Sequence, residues 1–210
     1  MAAPEHIHLT YNDIHKLIEA SASKIAAEFK PDMFIAIGGG GFFPARVMRT
    51  FLKDPSTKRN IPIHAIGLSL YESLPGTTAE QIGSQVIRTQ WLGPDSGKTL
   101  LGRRCLIVDE VDDSRKTLHY AVSELQSDVE RELAKLPESE REAKRTKFAV
   151  FVVHNKLKEK LASLPPDVPY YAGENVDDYW LDYPWEASDI DEHDRLAAEE
   201  KASKKPTESS

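Results

Sequence analysis

The segment formed by residues 105–118, CLIVDEVDDSRKTL, limits most strongly how this chain can fold. It begins with a short apolar run that is typical of a buried parallel strand. The adjacent carboxylates of Asp109 and Glu110 stand where that strand should end, and Asp113 follows in a polar loop. Apolar residues then recur at helical spacing over residues 117–129. This order predicts an acidic loop at the carboxyl end of a strand, which is where open α/β sheets bind ligands.

The loop at residues 114–117 opens the predicted helix and adds a second constraint. The first N–H groups of a helix have no partner within the helix, so this loop offers donors to an anion. Carboxylates beside an anion site indicate a divalent cation or a polyhydroxyl ligand between them. Two other interpretations fit the segment by itself. It matches the metal-binding strand of nucleotide hydrolases, in which Asp-Glu follows four apolar residues, and it also fits an ordinary turn with solvated acids.

Residues 93–99, GPDSGKT, nearly match a phosphate-binding P-loop. The glycines Gly93 and Gly97 are separated by three residues, whereas the motif requires four. No convincing helix follows, and the strand that starts near Cys105 begins too soon for a crossover helix. These mismatches reject the P-loop and, with it, the nucleotide-hydrolase interpretation of the acidic segment.

Four consecutive glycines, residues 38–41, lie between an apolar strand at residues 33–37 and a helical pattern. So many glycines indicate unusual backbone torsions or the close approach of another group. A dinucleotide-binding fingerprint needs glycine at the sixth position counted from Gly38, where this chain has Phe43. The remaining interpretations are a flexible turn and a concave nest of backbone N–H groups that binds pyrophosphate.

Strand and helix patterns alternate along the rest of the chain. Further strands are predicted at residues 63–68, 86–91 and 148–153. The helix after the acidic segment is predicted to run to about Leu136, and a capping box of Thr10 and Asp13 predicts the start of the first helix. This alternation predicts an α/β protein with a doubly wound, mainly parallel sheet.

Size and charge exclude several classes of function. With 210 residues the chain can build one α/β core with a small subdomain. The net charge of −7 argues against binding to nucleic acid or to an anionic membrane. No apolar stretch is long enough to span a bilayer and no signal peptide is evident, so a cytoplasmic protein is expected. Cys105 is the only cysteine, and its apolar surroundings predict buried packing.

Residues 105–117 resemble the phosphoribosyl-diphosphate signature of the type I phosphoribosyltransferases. That signature has four apolar residues, two acids, two variable positions and then Asp-Ser/Thr-Gly-x-Thr, and Arg115 stands where the family usually has Gly. Residues 180–186, WLDYPWE, resemble the base-binding hood of 6-oxopurine phosphoribosyltransferases. Together with residues 38–41 and 89–91, these segments look most similar to the fungal hypoxanthine-guanine and xanthine enzymes, which also replace that Gly by Arg.

The resemblance implies a fold, an activity and a domain organisation. The core would span residues 10–160 with a flexible loop at residues 70–91, followed by a hood at residues 161–195 and a disordered tail at residues 196–210. The activity would join hypoxanthine, guanine or xanthine to 5-phosphoribosyl-1-diphosphate and release pyrophosphate, as in purine salvage. Mg²⁺ is the implied cofactor, and a homodimer is the implied assembly.

The resemblance also implies roles for residues around the acidic segment. Asp109 and Glu110 would hold the ribose hydroxyls, directly or through Mg²⁺. Asp113 would handle the proton at purine N7 as a general acid/base. The 5′-phosphate would be bound by the loop residues Ser114, Arg115, Lys116 and Thr117.

Further residues are implied at the two ends of the substrate. Pyrophosphate would be bound by Gly38, Gly39, Gly40 and, because the glycine loop lacks a basic residue, Arg88. Ser69 and Tyr71 resemble the Ser-Tyr pair of the family's catalytic loop with one residue inserted. The base would be contacted by stacking on Trp180, by the Leu181 backbone, by the Glu186 carboxylate and by an O6 donor, either His154 or, as favoured here, Lys156.

Two alternatives to this activity fit the same fold. A non-catalytic regulator of the same fold would keep the phosphoribosyl pocket, but the intact acids and the complete hood argue against it. An enzyme for adenine, uracil or orotate would need a different hood. The sequence does not rank the three 6-oxopurines, and it gives Arg115 no defined role.

Overall fold

The computed structural model describes residues 5–73, 80–93 and 96–203. The strands are β1 (His6–His8), β2 (Met33–Gly38), β3 (Ile63–Ser73), β4 (Glu80–Gln90), β5 (Arg104–Asp112), β6 (Lys147–Lys156), β7 (Tyr170–Val176) and β8 (Trp180–Asp182). The helices are α1 (Tyr11–Glu28), α2 (Phe42–Phe51), α3 (Ser96–Leu100), α4 (Lys116–Leu133), α5 (Glu138–Arg141) and α6 (Ile190–Ser203), with a 3-10 helix at Glu142–Lys144. Over these described ranges, no helix is long and apolar enough to cross a membrane.

Six strands form the main sheet in the order β4-β3-β2-β5-β6-β7. Every neighbouring pair is parallel except β3 and β4, which run antiparallel. The neighbours β2 and β5 pair in register, with Ala36 opposite Val108. Because their carboxyl ends lie at the same edge, the glycine turn after β2 and the acidic end of β5 meet there. The predicted α/β fold with a mainly parallel sheet is confirmed.

Both faces of this sheet are buried, which explains the nearly continuous apolar runs in the sequence. Side chains alternate between two hydrophobic clusters along each strand. On β5, Leu106 and Val108 belong to one cluster, and Cys105 and Ile107 belong to the other. Helices α1 and α2 contribute to the first cluster and α4 to the second, so the sheet is wound on both sides.

The start of α1 follows the predicted capping box. The Asp13 N–H donates to the Thr10 hydroxyl at 3.2 Å, and the Asp13 carboxylate accepts from the Thr10 N–H at 3.0 Å. These two bonds satisfy donors that a helix start would otherwise leave unpaired. The helix then buries Ile14, Ile18 and Ile25 against the sheet. The predicted start of this helix is confirmed.

Much of the segment expected as a flexible loop at residues 70–91 is a hairpin. Strand β3 continues to Ser73, and β4 begins at Glu80 and pairs with it. Two register shifts between β3 and β4 interrupt the regular pairing, so the periodicity in the sequence underestimates the length of both strands. Residues 74–79 lie outside the described residues.

Two helical details differ from the sequence pattern. A helix, α3, begins inside the rejected P-loop segment at Ser96, but its five residues are too few to show a helical period. Helix α4 ends at Leu133, before the predicted end near Leu136. The following charged stretch forms the short helix α5 and the 3-10 turn.

The boundaries predicted for the hood and the tail need correction. Residues 170–176 join the main sheet as β7 beside β6, so the core does not end at residue 160. The hood segment is supported instead by a second sheet, in which β8 pairs with β1 in parallel. Residues 196–203 continue α6 and are not disordered, because buried Ala197 packs that helix against the protein. Residues 204–210 lie outside the described residues.

Candidate active site

A cavity of about 900 Å³ opens at the carboxyl ends of β2 and β5. Its walls come from four segments that the sequence analysis singles out. These are the glycine turn at residues 38–40, the end of β5 from Asp109, the loop and helix start at residues 113–118, and Trp185 with Glu186 from the hood. The fold therefore brings predicted sugar, phosphate and base segments to one cavity.

Two carboxylates lie side by side at the end of β5. Burial and the neighbouring charge of Glu110 raise the pKa of Asp109 well above its usual range. Oδ1 of Asp109 accepts the Glu110 N–H at 3.0 Å. Within the described part of the chain, Oε2 of Glu110 is buried with no hydrogen-bond partner. This pair has unused acceptor capacity, and a bound cation would offset the repulsion that raises the pKa of Asp109, so the pair suits a cation or hydroxyl groups.

The glycine turn makes room for one of these carboxylates. A Cβ at Gly40 would lie 1.9 Å from Cδ of Glu110. A Cβ at Gly41 would lie 2.4 Å from the Val108 carbonyl oxygen and 2.5 Å from that of Ile37. Neither glycine has a positive φ angle, so the backbone conformation does not require glycine here. Glycine is required because a side chain would not fit in the space.

Arg115 precedes α4 in a left-handed backbone conformation with φ of 67°. Its Nε and Nη2 atoms donate to Oδ2 of Asp112 at 2.9 and 2.7 Å. Its guanidinium carbon lies 4.5 Å from the centroid of the Tyr170 ring, and the Tyr170 hydroxyl donates to the same Asp112 oxygen at 2.8 Å. The Asp112 side chain is fully buried. Arg115 therefore has a defined structural partner, which the sequence does not identify.

The loop that Arg115 anchors leads directly into α4. The side chains of Ser114, Lys116 and Thr117 line the cavity. The Lys116 N–H contacts Oγ of Ser114 at 3.4 Å, and the first intrahelical bond comes from the His119 N–H. The N–H groups at the helix start have no intrahelical acceptor, so they can receive an anion.

Asp113 lies between Lys156, the last residue of β6, and Lys158, which follows that strand. Lys156 Nζ donates to Oδ2 of Asp113 at 3.2 Å, and Lys158 Nζ lies 2.9 Å from Oδ1. Burial alone would raise the pKa of Asp113, but the bond from Lys158 and the charge of Lys156 outweigh it and lower the pKa. Both lysines also reach Asp178, at 3.7 and 3.0 Å. Asp113 is therefore held as a carboxylate.

An aromatic stack connects the hood to α2. The Trp185 ring is stacked on Phe43 at 5.3 Å and on Tyr183 at 4.8 Å. Phe43 and Trp185 line the cavity beside Glu186. Burial and the charges of Glu110 and Asp182 raise the pKa of Glu186. This stack fixes the last part of the hood segment against the glycine turn.

His154 lies on the far side of Tyr183 and is fully buried. Its Nδ1 atom is 2.9 Å from the Tyr183 hydroxyl, which donates to the Glu110 carbonyl oxygen at 3.1 Å. Burial lowers the pKa of His154 to about 4, so the ring is neutral at physiological pH. Neither His154 nor Lys156 is among the cavity-lining residues, but Lys156 contacts Asp113, which lines the cavity, whereas His154 bonds to Tyr183, which does not.

Comparison with known proteins gives these features a family context. The chain is 52% identical over 201 residues to hypoxanthine-guanine phosphoribosyltransferase of Schizosaccharomyces pombe, covering 93% of this chain and 96% of the relative. It is 49% identical over 209 residues to xanthine phosphoribosyltransferase 1 of Saccharomyces cerevisiae, covering 94% of this chain and 97% of the relative. The chain belongs to the fungal hypoxanthine-guanine and xanthine phosphoribosyltransferase family. No family model matches it.

Solved structures resemble this phosphoribosyltransferase over nearly its whole length. A hypothetical protein from Neisseria gonorrhoeae with bound ppGpp is 39% identical with a TM-score of 0.72, covering 95% of this chain and 99% of that chain. A purine phosphoribosyltransferase from Pyrococcus horikoshii Ot3 is 24% identical with a TM-score of 0.57, covering 88% and 97%. The second similarity supports the fold assignment.

Some residues expected to act in this phosphoribosyltransferase lie outside the cavity wall. Trp180 is 52% exposed on β8, and the Leu181 side chain is buried in a core cluster. Arg88 forms an ion pair with Glu124 and lies 4.0 Å from the Trp91 ring centroid, so it does not line the cavity. Ser69 does line it. The side chain of Tyr71 lies outside the described part of the chain.

The sequence analysis misses several residues of this site. Lys158 lines the cavity, and Lys160 Nζ donates to the carbonyl oxygens of Asp112 and Asp113 at 2.7 and 2.9 Å. The spacing of lysines at residues 156, 158 and 160 after a strand is a signal that could have indicated them. Phe43 and Tyr183 give no such signal, because their contacts join distant parts of the chain.

Proposed function

We propose that this chain transfers the phosphoribosyl group of 5-phosphoribosyl-1-diphosphate to hypoxanthine, guanine or xanthine, as its relatives' names indicate for them. The products would be the nucleoside monophosphate and pyrophosphate, in purine salvage. One observation carries the proposal. A single cavity is lined by the acidic pair Asp109 and Glu110, by a helix start suited to a phosphate, and by the hood residues Trp185 and Glu186.

The sugar-side pair is suited to a magnesium-bound diphosphate. Among the described residues, no group of three or more His, Cys, Asp or Glu side chains could hold a metal by itself. Mg²⁺ commonly uses only one or two carboxylates and takes its other ligands from substrate phosphates and water. The unpartnered Glu110 Oε2 and the buried Asp109 carboxylate fit that requirement. Bound Mg²⁺ would neutralise charge on the departing pyrophosphate.

The transfer breaks the bond between the sugar C1 and pyrophosphate and forms a bond from C1 to purine N9. As N9 bonds to C1, the purine loses its proton from N7. We assign this proton to Asp113, which the bond from Lys158 and the charge of Lys156 keep ionised against the effect of burial. An ionised carboxylate at this position acts as a general base in the forward direction.

The phosphates would bind at two backbone sites. The N–H groups of residues 114–117, with the Ser114 and Thr117 hydroxyls and the charge of Lys116, suit the 5′-phosphate. Arg115 would contribute through its own backbone N–H, because its side chain is engaged by Asp112. The turn at Gly38, Gly39 and Gly40 suits pyrophosphate, with Ser69 nearby in the cavity wall. The contribution of Arg88 would require its separation from Glu124.

The base would lie between Asp113 and the start of the hood segment. Lys156 and Lys158 each form ion pairs with both Asp113 and Asp178. Trp180 follows Asp178 by two residues, which supports a short distance between Asp113 and Trp180. An exposed indole is available to stack on a purine. Lys156 would then donate to O6.

The hood backbone and its acid complete the proposed base site. The Trp180 N–H and the Asp182 carbonyl oxygen bond to the β1 side. Backbone groups of successive strand residues alternate in direction, so those of Leu181 face away from β1 and are available to the base. Glu186 would contact the edge of the base from the cavity wall.

The test is turnover of each base. Purified protein is mixed with 5-phosphoribosyl-1-diphosphate, Mg²⁺ and hypoxanthine, guanine or xanthine, and nucleotide and pyrophosphate are measured. We expect both products in equal amounts and their loss when EDTA removes Mg²⁺. Binding of 5-phosphoribosyl-1-diphosphate by folded protein without turnover of any base would instead favour a non-catalytic regulator.

The proposal also includes a homodimeric assembly and a cytoplasmic location. Light scattering would test the assembly, and cell fractionation would test the location.

A further inference from the structure

We propose that Tyr183, held in place by His154, is a positioning residue that fixes the base-binding hood segment relative to the acidic pair of the sugar site. The inference rests on the proposed function and adds two residues that do not line the cavity. Neither residue is expected to touch a substrate. Each would act through the groups that it orients.

The Tyr183 hydroxyl joins two strands of the main sheet at a buried point. It donates to the carbonyl oxygen of Glu110 on β5 at 3.1 Å, and it lies 2.9 Å from Nδ1 of His154 on β6. All three residues converge at the carboxyl end of the sheet, because Val111, which follows Glu110, pairs with His154. Tyr183 is 3% exposed and His154 is 0% exposed, so water does not compete for these bonds.

The hydrogen-bond inventory assigns the direction of both bonds. A tyrosine hydroxyl has one hydrogen to donate, and a carbonyl oxygen can only accept. The Tyr183 hydrogen therefore goes to Glu110, and the Tyr183 oxygen accepts from His154. This places the imidazole proton on Nδ1. Nε2 of His154 then carries no proton; among the described residues it has no hydrogen-bond partner, and Oε2 of Glu174 lies 3.9 Å from it.

The Tyr183 ring transmits this position to the base side. It is stacked on Trp185 at 4.8 Å with an angle of 11° between the rings, and Trp185 and Glu186 line the cavity. On the sugar side, Glu110 carries the carboxylate with the unpartnered oxygen. One hydroxyl group thus ties a residue of the acidic pair to the hood segment. Shifting it would change where the base lies relative to the sugar carbon.

Packing alone would not require the hydroxyl group. A phenylalanine at residue 183 would keep the ring stack and the hydrophobic contacts. Burying a hydroxyl is unfavourable unless it is hydrogen-bonded, and here both of its bonds are directional and join separate elements. The hydroxyl is therefore best explained by the alignment that it imposes.

The first test is Tyr183→Phe, compared with Tyr171→Phe as a matched control. Tyr171 is another buried tyrosine, and its hydroxyl bonds to Glu28 away from the cavity. We expect Tyr183→Phe to raise KM for the base about three- to tenfold, the equivalent of one lost hydrogen bond. KM for 5-phosphoribosyl-1-diphosphate should change less than twofold. The control should leave both KM values unchanged.

The second test uses His154, whose Nδ1 position an asparagine amide can occupy. We expect His154→Leu to raise KM for the base as Tyr183→Phe does and His154→Asn to restore it at least in part. In the Tyr183→Phe background, His154→Leu and His154→Asn should give the same KM for the base. Fluorescence of the tryptophans, measured with each variant, reports whether the fold is retained.

Several outcomes would overturn the inference. If wild-type protein turns over the base and Tyr183→Phe has an unchanged KM for it, the hydroxyl has no positioning role. A fall in kcat with both KM values unchanged would likewise overturn it, because the base would still bind as in the wild-type protein. Failure of His154→Asn to differ from His154→Leu would remove His154 from the pair. Inactive wild-type protein would contradict the proposed function itself, which keeps the two failures distinct.

Discussion

The guanidinium of Arg115 donates two hydrogen bonds to the buried carboxylate of Asp112, although the Arg115 backbone has a conformation that arginine rarely adopts. Its φ of 67° is left-handed, a backbone region that glycine adopts at no steric cost. Both Nε and Nη2 donate to one Asp112 oxygen, and the Tyr170 ring covers the guanidinium. The side-chain partners thus stabilise a conformation that the arginine backbone itself disfavours, and they shape the loop before any phosphate is bound.

Arg115→Gly tests this balance. Glycine removes a backbone cost of about 1–2 kcal/mol, but among the described residues it leaves the buried Asp112 carboxylate with Lys160 as its one remaining ion-pair partner, at 3.6 Å. Removing one partner of a buried ion pair costs about 3–5 kcal/mol, so we expect a net loss of about 1–4 kcal/mol in the free energy of unfolding. Urea denaturation of both proteins would measure it.

The double variant Arg115→Gly/Asp112→Asn serves as the control for that experiment. Neutralising the buried carboxylate should recover part of the lost stability, because the uncompensated charge is gone. A single Arg115→Gly variant as stable as the wild-type protein would show that the Asp112 pair only offsets the backbone cost of about 1–2 kcal/mol and adds no net stability.

The features that the sequence could predict are those that depend on neighbouring residues. The strand end at Asp109 and Glu110, the capping box at Thr10 and the helix that starts at Lys116 follow from local patterns. A parallel sheet then brings strand ends together, so the shared edge of β2 and β5 was also accessible to argument. The sugar and phosphate parts of the site are local in this sense.

The features that the sequence could not predict join distant residues. The chain between β6 and β7 returns over the acidic loop, which brings Lys160 to Asp112, and no periodicity encodes that path. Strand β1 supports the hood through β8, although its three residues carry no strand signal. Arg115 was unexplained because its φ angle and its contact with Tyr170 exist only in the folded chain.

Substitution of adjacent glycines should separate activity from stability. In Gly40→Ala, the new Cβ meets the Glu110 carboxylate, whose side chain can move away. We expect activity to fall at least about tenfold, an effect of 1.4 kcal/mol on the transition state, with little change in the thermal midpoint. In Gly41→Ala, the new Cβ meets the Val108 and Ile37 carbonyl oxygens, which are fixed in the sheet.

Gly41→Ala is therefore expected to lower the thermal midpoint by several degrees, as a cost of about 1–3 kcal/mol would do in a chain of this size. Paired melting curves and initial rates would check both variants. Equal midpoints with equal rates would contradict the close approach of Gly40 to Glu110.

Asp113→Asn should remove proton handling while leaving the phosphate sites intact. We expect kcat to fall by about 10²–10⁴, the usual contribution of a general base, with the affinity for 5-phosphoribosyl-1-diphosphate nearly unchanged. Steady-state kinetics and equilibrium binding of that substrate would measure the two effects. A variant with a near-wild-type rate would exclude Asp113 as the base.

The pH dependence of activity should shift in Lys158→Met. In the wild-type protein, burial raises the pKa of Asp113, but Lys158 and Lys156 lower it to below its ordinary value. Activity that needs the carboxylate is therefore retained as pH falls, until the pH reaches this lowered pKa. Removing Lys158 leaves burial less opposed and raises the pKa, so the acidic limb of the kcat profile should move to higher pH.

Lys135→Met is a suitable control, since Lys135 pairs with Glu132 on the surface of α4. Its profile should overlay that of the wild-type protein. An acidic limb that is the same in all three proteins would mean that another group controls it.

Trp180→Ala tests whether the exposed indole of the hood stacks on the base. The side chain is 52% exposed and lies 6.1 Å from the His6 ring in a tilted contact, so its removal should cost little stability. Stacking of an aromatic side chain on a base contributes about 1–3 kcal/mol, which predicts an increase of about tenfold or more in KM for the base. KM for 5-phosphoribosyl-1-diphosphate should stay constant, and Trp180→Phe should retain most of the affinity.

Trp185 lines the cavity and is stacked on both Phe43 and Tyr183, so Trp185→Ala should instead lower the thermal midpoint. Unchanged KM values in Trp180→Ala would assign the aromatic side of the base site to Phe43 and Trp185.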